Sequence, residues 1–298
     1  MVYVANNMEY REFGRTGVHV SPVGMGTYYD FGWIATASIF RIRMSEGRKI
    51  AAIRKGIEEG INLIDTAEFY GSESTVSRSI QGFDREKLFI ATKVFPTHLR
   101  KDKLLKACER SIRRLGTGYI DLYQVHFPSL RVPVGETMSA LEQLVDEGKI
   151  RYIGISNFTL KKMVEAEQAL KKYSLASTQM HYNLSHRDVE RDILPHCRDN
   201  GIALLAYYPL GHGKLASLPD DRAEAVAAIA SKYGLKTNAQ LALNYLLSVD
   251  RCVFPIPRAS NPDHVADNSK LGGKLFDEAD LKTLSSIFAT SGSEEENQ

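Results

Sequence analysis

The sequence predicts an α/β protein that folds as a single (β/α)8 (TIM) barrel preceded by a β-hairpin. Short apolar segments alternate with amphipathic helical segments, and about eight such pairs can be counted. The strands are largely apolar along their whole length, as expected when both faces of a sheet are buried. The chain has 298 residues, and a closed barrel needs about 250. Because no linker rich in Pro, Gly or Ser interrupts it, we expect residues 1–298 to form one domain.

The composition excludes several classes of protein. The chain is 43% hydrophobic and 25% charged, which is typical of a globular domain. Its formal net charge of +2 is too small to favour nucleic-acid binding, and no apolar run is long enough to span a bilayer. Cys108, Cys197 and Cys252 lack the spacing of a metal or disulfide motif. We therefore expect no metal, no nucleic-acid or membrane partner, and a location in the reducing cytoplasm.

The predicted elements follow one another at barrel spacing. Tyr10–Val20 is predicted to be a hairpin because glycines stand in its middle. A helix is expected to begin after Ser45, which is a good N-cap, and to end at Gly60 in a left-handed conformation. Two later helices are expected to stop at Gly116 and Gly148. The predicted strands are Pro22–Gly26, Asn62–Asp65, Leu88–Val94, Tyr119–His126, Tyr152–Ser156, Ser177–Tyr182, Ala203–Tyr207 and Cys252–Ile256.

A doubly wound open sheet is the alternative architecture. Such dinucleotide-binding folds usually carry the pattern G-x-G-x-x-G after the first strand. Here Gly24 and Gly26 are followed by Thr27, Tyr28 and Tyr29, so the third glycine is missing. The pattern therefore favours the barrel.

Polar residues occur at the carboxyl ends of several predicted strands. In a barrel these ends converge on one mouth, where active sites lie. Taken alone, each residue has an ordinary structural explanation, such as a helix cap for an aspartate or a solvated tip for a lysine. Their joint occurrence at equivalent positions predicts an active site. The residues are Asp65, Lys93, His126, Asn157, Gln179 and Tyr207.

The residue types at this mouth suit the reduction of a carbonyl group. The reaction needs a proton for the oxygen, and a tyrosine is a poor acid because its usual pKa is about 10. A nearby ammonium would lower that pKa, and a carboxylate would hold the ammonium in place. We therefore predict that Asp65, Tyr70 and Lys93 act together. His126 is expected to hydrogen-bond the carbonyl oxygen.

Several sequence motifs, in this order, resemble those of the aldo-keto reductase family. The first brings Asp65 and Tyr70, the second Lys93 and the third His126. The resemblance runs from about Tyr10 to Leu271. The motifs are Gly60–Glu73, Ile90–Val94, Leu115–His126, Gly148–Phe158, Ala206–Gly211 and Ile256–Arg258.

The resemblance implies a catalytic tetrad of Asp65, Tyr70, Lys93 and His126, with Tyr70 as general acid. It also implies NADPH as the coenzyme, with NADH as an alternative, and a stack of Tyr207 on the nicotinamide ring. The chain departs from the common pattern at Tyr208, where many members have serine, and at His264, where many have arginine. The implied coenzyme-binding residues are Gly26, Thr27, Asp65, Ser156, Asn157, Gln179, Tyr207, Tyr208, Pro209, Leu210, Gly211, Gly213, Lys214, Pro257, Arg258, Ser260, His264, Asp267 and Asn268.

The substrate is expected to be a small carbonyl compound. Tyr70, His126 and Phe127 are its candidate contacts at the mouth. Tyr28 and Trp33 belong to an aromatic stretch that is predicted to form a loop after the first strand. These aromatic side chains either line a wall of the substrate site or pack the loop itself.

Two other functions are compatible with the same barrel. One is a coenzyme-binding regulatory or sensor subunit in which catalysis is slow. The other is an aldolase-like enzyme that uses Lys93 to form a Schiff base. Asp65 argues against the aldolase, because a lysine paired with a carboxylate stays protonated.

Overall fold

The computed structural model describes residues 8–39, 43–211 and 220–288. Two short strands pair antiparallel ahead of the barrel, which confirms the predicted hairpin: β1 (Arg11–Glu12) and β2 (His19–Val20). Eight parallel strands follow in sequence order around one sheet. They are β3 (Met25–Gly26), β4 (Leu63–Asp65), β5 (Phe89–Val94), β6 (Ile120–Val125), β7 (Ile150–Ser156), β8 (Leu175–His181), β9 (Ala203–Tyr207) and β10 (Val253–Pro255).

The sheet closes between its first and last strands. Gly24 donates its backbone N–H to Pro255, and Gly26 donates to Pro257, both at 2.9 Å. Ala259 then donates to the carbonyl of Gly26, also at 2.9 Å. These bonds join β3 to β10 and the segment after it, so the predicted (β/α)8 barrel is confirmed.

Helices connect and cover the strands, as a parallel sheet requires. Glycines with positive φ follow three of them: Gly60 (96°), Gly116 (65°) and Gly148 (68°), as predicted. The helices are α1 (Phe31–Ile39), α2 (Glu46–Glu58), α3 (Glu73–Ser79), α4 (Lys101–Leu115), α5 (Val134–Asp146), α6 (Leu160–Ala169), α7 (Ile193–Asn200), α8 (Asp220–Lys232), α9 (Asn238–Val249), α10 (Pro262–Asn268) and α11 (Glu278–Ile287).

The hairpin fills the amino-terminal end of the barrel. Phe13 lies in its turn and is fully buried. The Phe13 ring centroid lies 4.7 Å from that of Phe89 and 5.3 Å from that of Phe254, near the beginnings of β5 and β10. Because this end is filled with apolar side chains, the carboxyl ends of the strands form the mouth that remains.

Two local predictions about the segment after β3 were wrong. The aromatic stretch does not form a loop: it begins helix α1, in which Trp33, Ile34 and Ala37 are buried at helical spacing. Asp30 supports the start of this helix by accepting the backbone N–H of Trp33 at 2.7 Å. Ser45 does precede α2, but it has a left-handed φ of 53° and its hydroxyl makes no capping bond.

We predict that Gly26→Ala destabilises the barrel where it closes. A Cβ at Gly26 would lie 2.7 Å from the backbone oxygen of Ile256, which cannot move without breaking the closure. Overpacking of this kind costs about 1–3 kcal/mol in the free energy of unfolding, which urea denaturation would measure. Gly47→Ala is the control, since a Cβ there would meet nothing within 4 Å. Equal stabilities of the two variants would contradict the prediction.

Candidate active site

A buried ion pair lies at the base of the mouth. Lys93 is fully buried, and its Nζ donates to Asp65 Oδ2 at 2.6 Å and to the carbonyl of Thr66 at 2.9 Å. Burial lowers the pKa of Lys93, and the Asp65 carboxylate acts in the opposite direction. The other carboxylate oxygen accepts the side-chain amides of Gln179 at 2.9 Å and Gln124 at 3.3 Å. The pair is therefore hydrogen-bonded on both sides, as a buried pair must be.

Tyr70 lies directly above this pair. It ends a 3-10 turn, Glu68–Tyr70, that follows β4, and the centroid of its ring lies 5.0 Å from Lys93 Nζ. Part of the residue is exposed, but desolvation of its hydroxyl raises the pKa well above the usual value, and the Asp65 charge adds to this. We predicted that Lys93 would lower this pKa; the net direction is upward because burial is the largest effect. The phenol is therefore protonated at neutral pH.

His126 faces Tyr70 across the mouth. Its Nε2 lies 3.4 Å from the Tyr70 hydroxyl. Burial, with a smaller effect from the Lys93 charge, lowers the pKa of His126 to about 3. Its Nδ1 is buried and has no hydrogen-bond partner among the described residues. The imidazole is therefore neutral, and one of its nitrogens can donate a hydrogen bond.

Hydroxyl and amide groups at the ends of β7, β8 and β9 form a connected network beside His126. Asn157 has a φ of 61° and donates through Nδ2 to the His126 carbonyl at 3.0 Å and to Ser156 Oγ at 3.1 Å. Its Oδ1 accepts the hydroxyl of Tyr207 at 2.8 Å. Ser156 Oγ in turn donates to the Gln179 carbonyl at 3.0 Å. The structure thus brings together all four residues that were predicted to hold the nicotinamide.

The turn after β9 is tight. Tyr208 has a φ of 49°, which is rare for a bulky side chain, and its carbonyl accepts the N–H of Gly211 at 3.0 Å. Pro209 between them is buried and Leu210 is half-buried. Of the other residues predicted to contact the coenzyme here, Gly213 and Lys214 lie outside the described residues.

The residues predicted to surround the adenosine end of the coenzyme lie after β10. Arg258 is exposed, and its Nη1 donates to the carbonyl of Tyr29 at 2.7 Å. His264 is exposed, whereas Asn268 is buried. Of the other residues predicted here, Pro257 is buried, and Ser260 and Asp267 are half-buried. Gly26 and Thr27, near the closure of the barrel, are also predicted coenzyme contacts, and both are buried.

The candidate substrate contacts differ in their surroundings. Tyr28 meets Tyr70 edge to face at 5.2 Å and Tyr208 at 5.9 Å, so it crosses the mouth. Phe127 is 43% exposed beside His126. Trp33 is only 4% exposed and packs against Tyr29, with Lys49 over its ring. Trp33 therefore packs the helix rather than lining an open wall.

Two residues of this mouth were not found by the sequence analysis. Gln124 bonds Asp65, and His181 lies at the end of β8 against Tyr207. Gln124 is two residues before His126 and His181 is two residues after Gln179. The period-2 alternation of a strand places such residues on one face, so this signal was present.

Within residues 8–39, 43–211 and 220–288, no group of three His, Cys, Asp or Glu residues could hold a metal ion. No helix in these ranges is long and apolar enough to cross a membrane.

Sequence comparisons give several similar proteins. A sequence model of the Aldo/keto reductase family matches residues 23–289. The chain is 36% identical over 275 residues to the methylglyoxal reductase YeaE of Escherichia coli, and the match covers 91% of this chain and 92% of that protein. It is also 36% identical over 222 residues to the aldo-keto reductase YhdN of Bacillus subtilis, covering 70% of this chain and 64% of that protein.

Solved structures with the same fold include two of similar identity. The thermostable aldo-keto reductase Tm1743, in complex with the inhibitor epalrestat, is 35% identical with a TM-score of 0.83, covering 94% of this chain and all of that one (100%). An aldo/keto reductase of Klebsiella pneumoniae, in complex with NADP and acetate, is 32% identical with a TM-score of 0.80, covering 96% and 98%.

We predict that His126 makes the fold less stable in acid. Its pKa of about 3 in the folded state lies below its usual value of 6.5. Between these values the unfolded chain binds a proton that the folded chain does not, so stability is lost as the pH falls through this window. The loss is about 1.4 kcal/mol per pH unit below 6.5. Urea unfolding at pH 7 and pH 5 would measure this loss. Between these two pH values, the free energy of unfolding of His126→Gln should fall by about 2 kcal/mol less than that of the parent. Equal losses in the two chains would contradict the assignment.

Proposed function

Because this chain belongs to the aldo/keto reductase family, we propose that it reduces the carbonyl group of small aldehydes or ketones with NADPH. One observation carries the proposal: the protonated Tyr70 lies over the buried Asp65–Lys93 pair and 3.4 Å from the neutral imidazole of His126. A proton donor and a hydrogen-bond donor thus meet at one point of the mouth. A carbonyl oxygen requires both when it becomes an alcohol.

The residues of the mouth fit a nicotinamide coenzyme, which when bound would supply the hydride. Ser156, Asn157 and Gln179 offer the hydroxyl and amide groups that a carboxamide can bond, and Tyr207 offers an aromatic face. The turn at Leu210 and Gly211 would hold the pyrophosphate. The Klebsiella pneumoniae relative solved with NADP supports this choice.

Tyr70 would donate the proton to the carbonyl oxygen. A raised pKa keeps the phenol protonated until the oxygen gains negative charge. Lys93, with its Nζ 5.0 Å from the ring centroid, would then stabilise the phenolate that remains. His126 would orient the carbonyl by a hydrogen bond from its neutral ring.

A Schiff-base mechanism does not suit Lys93. Its amine would have to be neutral and reachable by the substrate. Lys93 is instead fully buried and bonded to Asp65 at 2.6 Å. A regulatory subunit with little catalysis is the remaining alternative. Oxidation of NADPH with a panel of carbonyl compounds, followed by absorbance, separates it from an enzyme.

We predict that Tyr70→Phe lowers kcat at least about 100-fold, because the proton donor is lost. The dissociation constant for NADPH should stay within about twofold, since the ring and its packing remain. Tyr123→Phe is a matched control: it removes another buried hydroxyl, one that has no hydrogen-bond partner among the described residues. A Tyr70→Phe chain with near-parental turnover would refute the proposed acid.

We predict that NADPH binds more tightly than NADH and that Arg258 contributes to the difference. A guanidinium suits a 2′-phosphate, and losing such a charged hydrogen bond weakens binding about tenfold. Arg258→Ala should therefore raise the dissociation constant for NADPH and leave that for NADH nearly unchanged. Arg251→Ala is the control, since Arg251 is exposed just before β10, at the other end of the barrel, and pairs with Glu9 at 3.1 Å. Calorimetry would measure both dissociation constants. An equal change for NADPH and NADH in Arg258→Ala would show that Arg258 does not bind the 2′-phosphate.

A further inference from the structure

Three rings stack in parallel at one side of the mouth. His186 and His181 have ring centroids 4.1 Å apart at an interplanar angle of 15°. His181 and Tyr207 have centroids 5.5 Å apart at 13°. We call these residues the three-ring stack. Nothing in the proposed mechanism uses the two histidines.

The strand register brings the inner two rings together. His181 ends β8 and Tyr207 ends β9, and the two residues are direct partners in the parallel ladder. Their side chains therefore leave neighbouring strands side by side and in the same direction. The stack follows from the barrel itself and not from a mobile loop.

One buried amide holds the outer ring in place. Asn183 is 2% exposed, and its Oδ1 accepts the N–H of His186 at 3.0 Å. Its Nδ2 donates to His181 Nε2 at 3.2 Å and to the carbonyl of Tyr208 at 3.1 Å. Asn183 thus ties the His186 turn to the ends of both strands.

The hydrogen bond of Tyr207 does not set the plane of its ring. Its hydroxyl donates to Asn157 Oδ1 at 2.8 Å. The hydroxyl oxygen lies on the axis about which the ring turns, so this bond holds the tip while χ2, which is intrinsically broad, stays free. Tyr208 meets this ring edge to face at 5.3 Å and 72°, whereas His181 lies parallel to it and is the flat partner that restrains χ2.

We propose that His181, supported by His186, is a positioning residue that sets the plane of Tyr207 for the flat pyridine ring of the coenzyme. The inference rests on the proposed function, because it needs a coenzyme ring at Tyr207. Stacked aromatic pairs contribute enough that losing the correct plane weakens binding about 3- to 10-fold.

The test compares His181→Leu with His181→Phe. Leucine removes the flat face, so the dissociation constant for NADPH should rise about 3- to 10-fold by calorimetry, while kcat at saturating NADPH changes little. Phenylalanine restores a flat face without the bond to Asn183, so affinity should return to within about twofold of the parent. His19→Leu is the control, since His19 is exposed on β2, in the hairpin at the opposite end of the barrel.

A double-mutant cycle separates positioning from a general structural effect. In a Tyr207→Leu background there is no ring to orient, so His181→Leu should not weaken NADPH binding further. His186→Leu, which removes the half-buried outer ring, should raise the dissociation constant for NADPH about twofold. This variant replaces His181→Leu in the test if His181→Leu does not fold.

Three results would overturn the positioning role: parental affinity in His181→Leu, equal losses in the leucine and phenylalanine variants, or a loss that persists without Tyr207. Each is distinct from a failure of the proposed function. A parent chain that binds no NADPH would overturn the proposed function and the inference together. A parent that binds NADPH, with His181→Leu unchanged, would overturn the inference alone.

Discussion

The candidate site depends on one buried ion pair, between Asp65 and Lys93. Two charges removed from water are stable only when every remaining oxygen and proton finds a partner. Here the partners are the carbonyl of Thr66 and the amides of Gln124 and Gln179. These groups come from β6, β8 and the end of β4, so stabilising one pair requires several strands of the barrel to be in register.

The pair also sets the electrostatics above it. Burial raises the pKa of the Tyr70 phenol, and the Asp65 carboxylate adds to this rise. Burial of the imidazole, with a smaller effect from the Lys93 ammonium, lowers the pKa of His126. At neutral pH the phenol of Tyr70 is therefore protonated and the imidazole of His126 is neutral. Under the proposed function, these two groups would serve as the acid and as a neutral hydrogen-bond donor.

The sequence predicts the strands and the strand-end residues because both follow from short-range patterns. Apolar runs bounded by glycines identify Leu63–Asp65 and its neighbours, and the polar residue after each run marks the mouth. The direction of the Tyr70 pKa was not predictable, since it depends first on how deeply the folded chain buries the hydroxyl. Helix α1 was missed because Gly32 and the aromatic side chains around it mask the helical spacing of Trp33, Ile34 and Ala37. The ring stack at His181 and Tyr207 depends on strand register, which no local pattern reveals.

The filled amino-terminal end of the barrel has a consequence for synthesis and folding. Phe13 is synthesised before every barrel strand, but one of its ring partners, Phe254, lies in the last strand, and the Arg11 guanidinium donates to the carbonyl of Leu247. All eight barrel strands must therefore be made before the hairpin finds its native surroundings. Contacts this distant in sequence slow folding and leave apolar surface exposed in the growing chain. The hairpin is thus made before the surfaces that bury it, and its apolar side chains stay exposed in the nascent chain until β10 closes the ring.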